Sequence, residues 1–203
     1  TTMTVSLKDI NTAVEVAKEA QGKVGGASIL GVHLEGPFIS KMAIGAQNPN
    51  FVEKPTLENF KEMVGQNMDF IKNITIAPEV DGALELIPYL RENNINVSMG
   101  HTKATYEEAM EGIKAGVNHS THLFNAMTPF THREPGVVGA IFDTDITTET
   151  ISDGVHISYP SLRTAYKVKT TDRVLLITDA MMACGMPDGT YSLGGQPAIS
   201  KNG

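Results

Sequence analysis

Four residues of this 203-residue chain have the types needed to hold a metal ion and move a proton: Glu35, His101, His122 and Asp179. Each closes a short apolar run. Glu35 ends the stretch from Ile29 to Leu34 and is followed at once by Gly36-Pro37; His101 follows Ile95 to Met99, His122 follows Val117 to Thr121, and Asp179 follows Val174 to Thr178. On a strand, side chains alternate between faces, so His33 and Glu35 share one face and Val32 and Leu34 the other. One histidine after a strand is usually a structural hydrogen-bonding residue. Two on consecutive strand ends, with carboxylates at two more, argue for a site. Two imidazoles and a carboxylate with an open position for water make a hydrolytic metal centre. The metal lowers the pKa of the water, and a nearby carboxylate such as Asp179 accepts its proton and returns it to a leaving group. Glu79, which ends Ile74-Thr75-Ile76-Ala77 beside Pro78, competes with Glu35 as the ligand, and spacing alone does not separate them.

The elements that must position these residues alternate along the chain. Ser6 with Asp9 reads as a helix cap ahead of Ile10, Val14 and Ala17, and Thr56 caps a helix carrying Phe60, Met63 and Val64. Asp81 opens a helix with Leu84, Ile87 and Leu90, in which Pro88 predicts a kink or an early break. Thr105 and Glu108 form a capping box for a helix to Ala115, closed by Gly116, and a further helix runs near Ser161 to Lys169. Thr1 to Val5 reads as a strand entered midway, and Ile146 to Ser152 as one ending in Asp153-Gly154-Val155-His156. Two long loops, Pro37 to Pro55 and Leu123 to Gly136, exceed plain connectors and are candidate functional loops. Apolar strands alternating with helices read as parallel strands covered on both faces. The expected fold is α/β: a (β/α)8 TIM-like barrel of the metal-dependent hydrolase type, present as an incomplete barrel of about seven strands, with its strand ends facing one mouth. The competing open doubly wound sheet lacks a glycine-rich phosphate fingerprint after a strand, and its strand ends would not converge. Residues 1–188 are expected to form the barrel without its first strand and last helix. Residues 189–203 are expected to begin a β-hairpin insertion or the return of a β-sandwich.

With 41% apolar residues the chain can bury a substantial core in one domain. Its net charge of −7 argues against nucleic acid and anionic membrane surfaces as partners. No apolar run approaches the roughly 20 residues of a membrane span, and Thr1 to Asp9 lacks the regions of a signal peptide. The single cysteine, Cys184, suits a reducing cytoplasm; without a histidine partner or cap motif it reads as a small packing residue.

The blocks GVHLEGPFIS, GAQNPN, TIAPE, SMGHT, HSTHLFNAMTPFTHREPGVVGAIFD, ISDGVH and LITDAM run in order through essentially the whole chain. Together they resemble the N-acetylglucosamine-6-phosphate deacetylase family of the amidohydrolase superfamily. The resemblance implies hydrolysis of N-acetylglucosamine 6-phosphate to glucosamine 6-phosphate and acetate, in amino-sugar catabolism and cell-wall sugar recycling. It implies Glu35, His101 and His122 as ligands of a divalent metal, zinc or iron, so that Glu35 is preferred over Glu79, and Asp179 as the catalytic acid/base. It further implies that Asn125, the backbone at Ala126, His156 and the Asp153 to Val155 turn line the amino-sugar pocket, with Ala46 nearby. Arg133 resembles the residue that reaches the sugar phosphate from the neighbouring subunit of a dimer; on its own it reads as an exposed loop arginine. Some members of the family carry His in place of Gln47, where it touches the acetyl carbonyl; Gln can donate a hydrogen bond there but carries no charge. Members with two metals add an HxH pair from the first barrel strand, and this chain is expected to begin after that strand, leaving one complete metal site and a second undecided. Two alternatives are another amidohydrolase, such as a cyclic amidase or nucleobase deaminase, and a non-catalytic sugar-phosphate-binding protein. Arg133 and the Asp153–His156 turn argue against the first; Asp179 and the three ligands argue against the second.

Overall fold

The Ser6 side chain accepts the Asp9 backbone N–H, as its position predicts, and the helix it caps, α1 (Leu7–Ala20), buries Ile10 and Val14. The computed structural model describes residues 1–201. After α1 the chain alternates strictly: β1 (Val32–Glu35), α2 (Leu57–Val64), β2 (Ile71–Ile76), α3 (Ala83–Glu92), β3 (Asn96–Met99), α4 (Tyr106–Ala115), β4 (His119–Ser120), α5 (Gly136–Asp143), β5 (Thr147–Ile151), α6 (Tyr159–Arg173) and β6 (Val174–Ile177). The six strands form one sheet in which neighbours follow sequence order and every pairing is parallel. A doubly wound sheet reverses its strand order partway. This one does not, so the sheet curls as part of a barrel and its strand exits lie along one rim.

Several expectations need correction. The sheet has six strands rather than about seven. Thr1 to Val5 contributes one backbone–backbone bond to the sheet, from the Thr2 N–H to the His33 carbonyl, and no strand. The Thr4 N–H is spent on the Gln47 side chain and is lost to any ladder. Pro88 does not break α3: Pro88 and Leu84 both face solvent, so water can bond the Leu84 carbonyl that proline leaves without a donor. The segment Gly136 to Asp143, left without an element by sequence pattern, is helix α5; Gly136 to Ile141 are all buried, and a helix buried all round shows no periodicity. Cys184 is exposed, not packed. The Thr105–Glu108 capping box is present, and the regular part of α6 ends at Lys169, since Thr170 has φ +62°. Lys169 is buried, donates to the Ile141 and Thr144 carbonyls at 2.7 and 2.6 Å, and is pulled by burial down to about 8.

Register sorts the two faces of the sheet. Leu34, Ile74 and Val97 pair across β1, β2 and β3 on the helix side, where Ile87 and Leu90 of α3 and Phe60 and Met63 of α2 are fully buried; each such aliphatic side chain contributes roughly 1.5–3 kcal/mol. The next row, Glu35, Thr75, Ser98, His119 and Thr147, is polar in all five strands and faces the barrel interior. Its members bond one another or the polar side chains of the rows beside them. Thr75 meets His33 and Thr121 at 2.8 Å each, Ser98 meets Thr121 at 2.6 Å, and His119 meets Thr147 at 2.7 Å and Glu149 at 3.2 Å. These side-chain bonds matter most at β4, whose ladder is two residues long.

Beyond β6, strands β7 (Gly189–Leu193) and β8 (Gln196–Ser200) pair as an antiparallel hairpin. Its turn residues, Gly194 and Gly195, both have positive φ, the requirement of a two-residue hairpin loop. The Asn48 side chain donates to the Gly194 carbonyl at 3.2 Å, tying the hairpin tip to the loop after β1. Among the described residues no helix is long and apolar enough to cross a membrane.

Thr121→Val keeps the shape at the end of β4 and removes the hydroxyl shared by Thr75 and Ser98. The expected loss is about 1–3 kcal/mol, because Ser98 is left buried with no side-chain partner. Equilibrium urea unfolding measures it, and an unchanged midpoint would remove the hydroxyl row from the support of β4.

Candidate metal centre

Glu35 is the last residue of β1, and His101 and His122 each follow the last residue of β3 and β4 by two positions. Asp179 follows β6 by the same interval. His101, His122 and Asp179 have φ of +48°, +29° and +50°, a region that costs a non-glycine residue of order 1–3 kcal/mol. Gly36, directly after Glu35, has φ +81°, and a Cβ there would collide with Thr4 Oγ1. At each strand exit, therefore, the backbone turns sharply as the functional side chain leaves the barrel wall.

Glu35, His101 and His122 are 6%, 5% and 3% exposed, and one ligand atom of each lies within 4.8 Å of the others. The contacts are close: Glu35 Oε1 is 3.0 Å from His101 Nε2 and 3.6 Å from His122 Nε2, and the two Nε2 atoms are 3.1 Å apart. His101 Nδ1 lies 2.9 Å from the Ala43 carbonyl. A carbonyl only accepts, so Nδ1 carries the hydrogen and Nε2 of the neutral ring presents a lone pair. That lone pair faces a carboxylate oxygen at hydrogen-bond distance, which is repulsive unless a proton or a cation lies between them. Ligands about 2.1 Å from a tetrahedral metal sit about 3.4 Å apart, within the observed range. The donor set, two neutral nitrogens and one carboxylate, thus fits a divalent ion. His122 Nδ1 is buried and has no hydrogen-bond partner among the described residues.

The electrostatics match this crowding. Burial raises the Glu35 carboxyl, yet hydrogen bonds and charge from His101 and His122 outweigh it and hold the group well below the usual carboxylate range. Burial disfavours charge on His122, but the Glu35 carboxylate and, more weakly, Asp179 raise its pKa above the ordinary histidine value. Asp179 is shifted upward by partial burial and then by the charge of Glu35, while His122, His101 and His156 pull the other way. Its carboxyl therefore feels the charge of the three ligand candidates, and the residue is exposed.

Glu79 lies outside the cluster. Its carboxylate accepts Thr102 Oγ1 at 2.5 Å and the Lys103 N–H at 2.6 Å, clamping the turn directly after His101. Gln47 is buried, and its amide donates to Glu35 Oε1 at 2.9 Å while its oxygen accepts the Thr4 N–H at 2.8 Å. Neither link was visible in the sequence, because each joins residues whose spacing carries no periodic signal. Asn125 donates its amide to the His122 and Leu123 carbonyls at 3.4 and 3.2 Å, and the Ala126 carbonyl accepts the Thr102 N–H at 3.0 Å. The loop after β4 is thereby fastened to the turns that carry both histidines. Ala46 is exposed beside Gln47, and Arg133 is exposed on the loop before α5, with no ion pair among the described residues. Asp153 and His156 form a separate exposed pair: Nδ1 of His156 is 2.7 Å from Asp153 Oδ2, and the Val155 and His156 N–H groups donate to Oδ1 at 2.9 Å each.

A singly wound parallel sheet that gathers two imidazoles and a carboxylate at its strand exits is a barrel with a candidate metal site at its mouth. The chain belongs to the amidohydrolase family, whose model matches residues 1–185. It is 43% identical over 171 residues to N-acetylglucosamine-6-phosphate deacetylase of Lysinibacillus sphaericus, covering 84% of this chain and 44% of that protein. It is 41% identical over 201 residues to the deacetylase of the same name from Bacillus subtilis, covering 97% and 51%. A solved structure of a mutant N-acetyl-D-glucosamine-6-phosphate deacetylase from Mycobacterium smegmatis, in complex with N-acetyl-D-glucosamine-6-phosphate, superposes with a TM-score of 0.92 at 35% identity, covering 99% of this chain and 52% of that one. The chain spans about half the length of the curated relatives it matches.

The Asp153 carboxyl is held at about 2 by the His156 side chain and then by the two backbone N–H groups, against an ordinary value of 3.8. Because the folded value is the lower one, the turn is stabilised above about pH 4 and loses that contribution as the pH falls towards 2. Val155 and His156 amide shifts followed by NMR should titrate with a midpoint near 2; a midpoint near 3.8 would break the assignment.

Proposed function

We propose that the protein of which this chain is part hydrolyses N-acetylglucosamine 6-phosphate to glucosamine 6-phosphate and acetate. The convergence of Glu35, His101 and His122 with Asp179 beside them carries the reading, and the deacetylases to which the chain is similar supply the substrate. Glu35, His101 and His122 would hold one divalent ion, zinc or iron. When bound, that ion supplies Lewis acidity and brings the pKa of a water towards neutrality.

The remaining work falls to side chains of this chain. Asp179 takes a proton from the attacking water as its oxygen bonds to the acetamide carbon, and delivers it to the amine nitrogen as the carbon–nitrogen bond breaks. An upward-shifted carboxyl suits both halves of that transfer, since it accepts a proton more readily than an ordinary aspartate. Asn125, Ala126 and the Asp153–His156 turn line the sugar pocket in this reading, with Ala46 at its edge. Asp153 fixes the His156 ring through Nδ1 and leaves Nε2 for a sugar hydroxyl. Arg133, exposed and without an ion pair among the described residues, binds the phosphate from across a homodimer interface. Remote contacts of this kind orient the scissile bond. The same reading makes residues 1–188 the catalytic barrel portion and 189–203 the start of a β-hairpin insertion or of a β-sandwich return, and places the protein in the cytoplasm.

Asp179→Asn should keep zinc and substrate binding by calorimetry while acetate release falls about 10²–10⁴-fold. Near-normal turnover would remove Asp179 from the chemistry. Dialysis against a chelator should abolish acetate release and added zinc or iron(II) restore it; activity that survives removal of all bound metal would overturn the hydrolase mechanism.

A further inference from the structure

The Gln47 side chain is placed as part of the support for Glu35. It is 8% exposed and lies between two groups of opposite hydrogen-bonding character. On one side is the Thr4 backbone N–H, 2.8 Å away, which can only donate; on the other is Glu35 Oε1, 2.9 Å away, which as a carboxylate can only accept. A single orientation of the amide satisfies both, with its oxygen towards Thr4 and its nitrogen towards Glu35. The oxygen it reaches is the one that faces His101 Nε2 and His122 Nε2. Thr4 reinforces the arrangement, since its hydroxyl donates to the Glu35 backbone carbonyl at 3.2 Å. Both ends of the amide are thus occupied.

We propose that Gln47 is a positioning residue for Glu35: it fixes the rotamer of the carboxylate and aims Oε1 at the metal, and so sets metal affinity rather than substrate affinity. The inference rests on the reading of Glu35, His101 and His122 as metal ligands. A hydrogen bond from a neutral amide spreads the charge of the liganding oxygen without neutralising it, and it removes the rotational freedom that the carboxylate would otherwise lose on binding the ion. Partners of this kind change metal affinity by about 10–100-fold.

The test is a zinc competition titration against a chromophoric chelator, with wild type, Gln47→Met and Gln47→His in the same full-length protein. Methionine fills the space and offers neither bond; an imidazole can accept from Thr4 and donate to Glu35. The expected result is a loss of zinc affinity of about 10–100-fold in Gln47→Met, and recovery to within a few-fold of wild type in Gln47→His. Unchanged zinc affinity in Gln47→Met overturns the proposal, and an accompanying rise in KM would reassign Gln47 to the substrate. If wild type binds no zinc, the metal reading itself fails, a result distinct from either. A measurement on wild type stands if Gln47→Met does not fold. The side-chain amide protons of Gln47 should be shifted and protected from exchange in the metal-free protein and should move on zinc addition; resonances of a freely exchanging amide that ignore zinc would overturn the proposal equally.

Discussion

Three electron-rich atoms, one carboxylate oxygen and two imidazole nitrogens, are held within 3.0 to 3.6 Å of one another, out of water. With no proton or cation between them they repel, so the arrangement requires one or the other. Most of the architecture around them resists that repulsion. Each atom sits on a different strand exit, the Ala43 carbonyl fixes the tautomer of His101, Glu79 clamps the turn behind it, and the Thr4–Gln47 pair holds Glu35. Such a scaffold spends local stability to keep lone pairs converging on one point, which a site for a cation requires.

The sheet makes this affordable by treating its two faces differently. Its helix side is an ordinary aliphatic core built from Leu34, Ile74, Val97 and the helix residues against them. Its inner side, in place of the branched aliphatic layers usual in such barrels, carries threonine, serine and histidine side chains that satisfy each other. Buried polar rows are favourable only when complete, and this one is nearly so. It places donors and acceptors under the ligands without leaving an isolated charge: Glu149, the other buried carboxylate, is matched by His119.

Much of this was legible in the sequence. Strand exits are marked by abrupt stops after apolar runs, so Glu35, Glu79, His101, His122 and Asp179 could be placed at strand ends from punctuation, which did not decide between the two glutamates. The caps at Ser6 and Thr105 were readable because their chemistry is local, within three residues. What escaped is what tertiary structure decides. Helix α5 is buried on all sides and shows no stripe. The Thr1–Val5 segment has strand-like residues but gives its Thr4 N–H to a side chain. Glu79 and Glu35 look alike in sequence, each an acid after an apolar run beside a proline, and differ only in which neighbours the fold gives them.

The dipeptide Gln47–Asn48 is bonded on one side to Thr4, 43 positions away, and on the other to Gly194, 146 positions away. The first separation is like that of Leu34 and Ile74, paired on adjacent strands, whereas the second closes a far longer loop, whose entropic cost is higher. The loop that holds Glu35 is thus tied at Gln47 to the start of the chain and at Asn48 to the hairpin tip, so a change in either distant segment is one short link from the carboxylate.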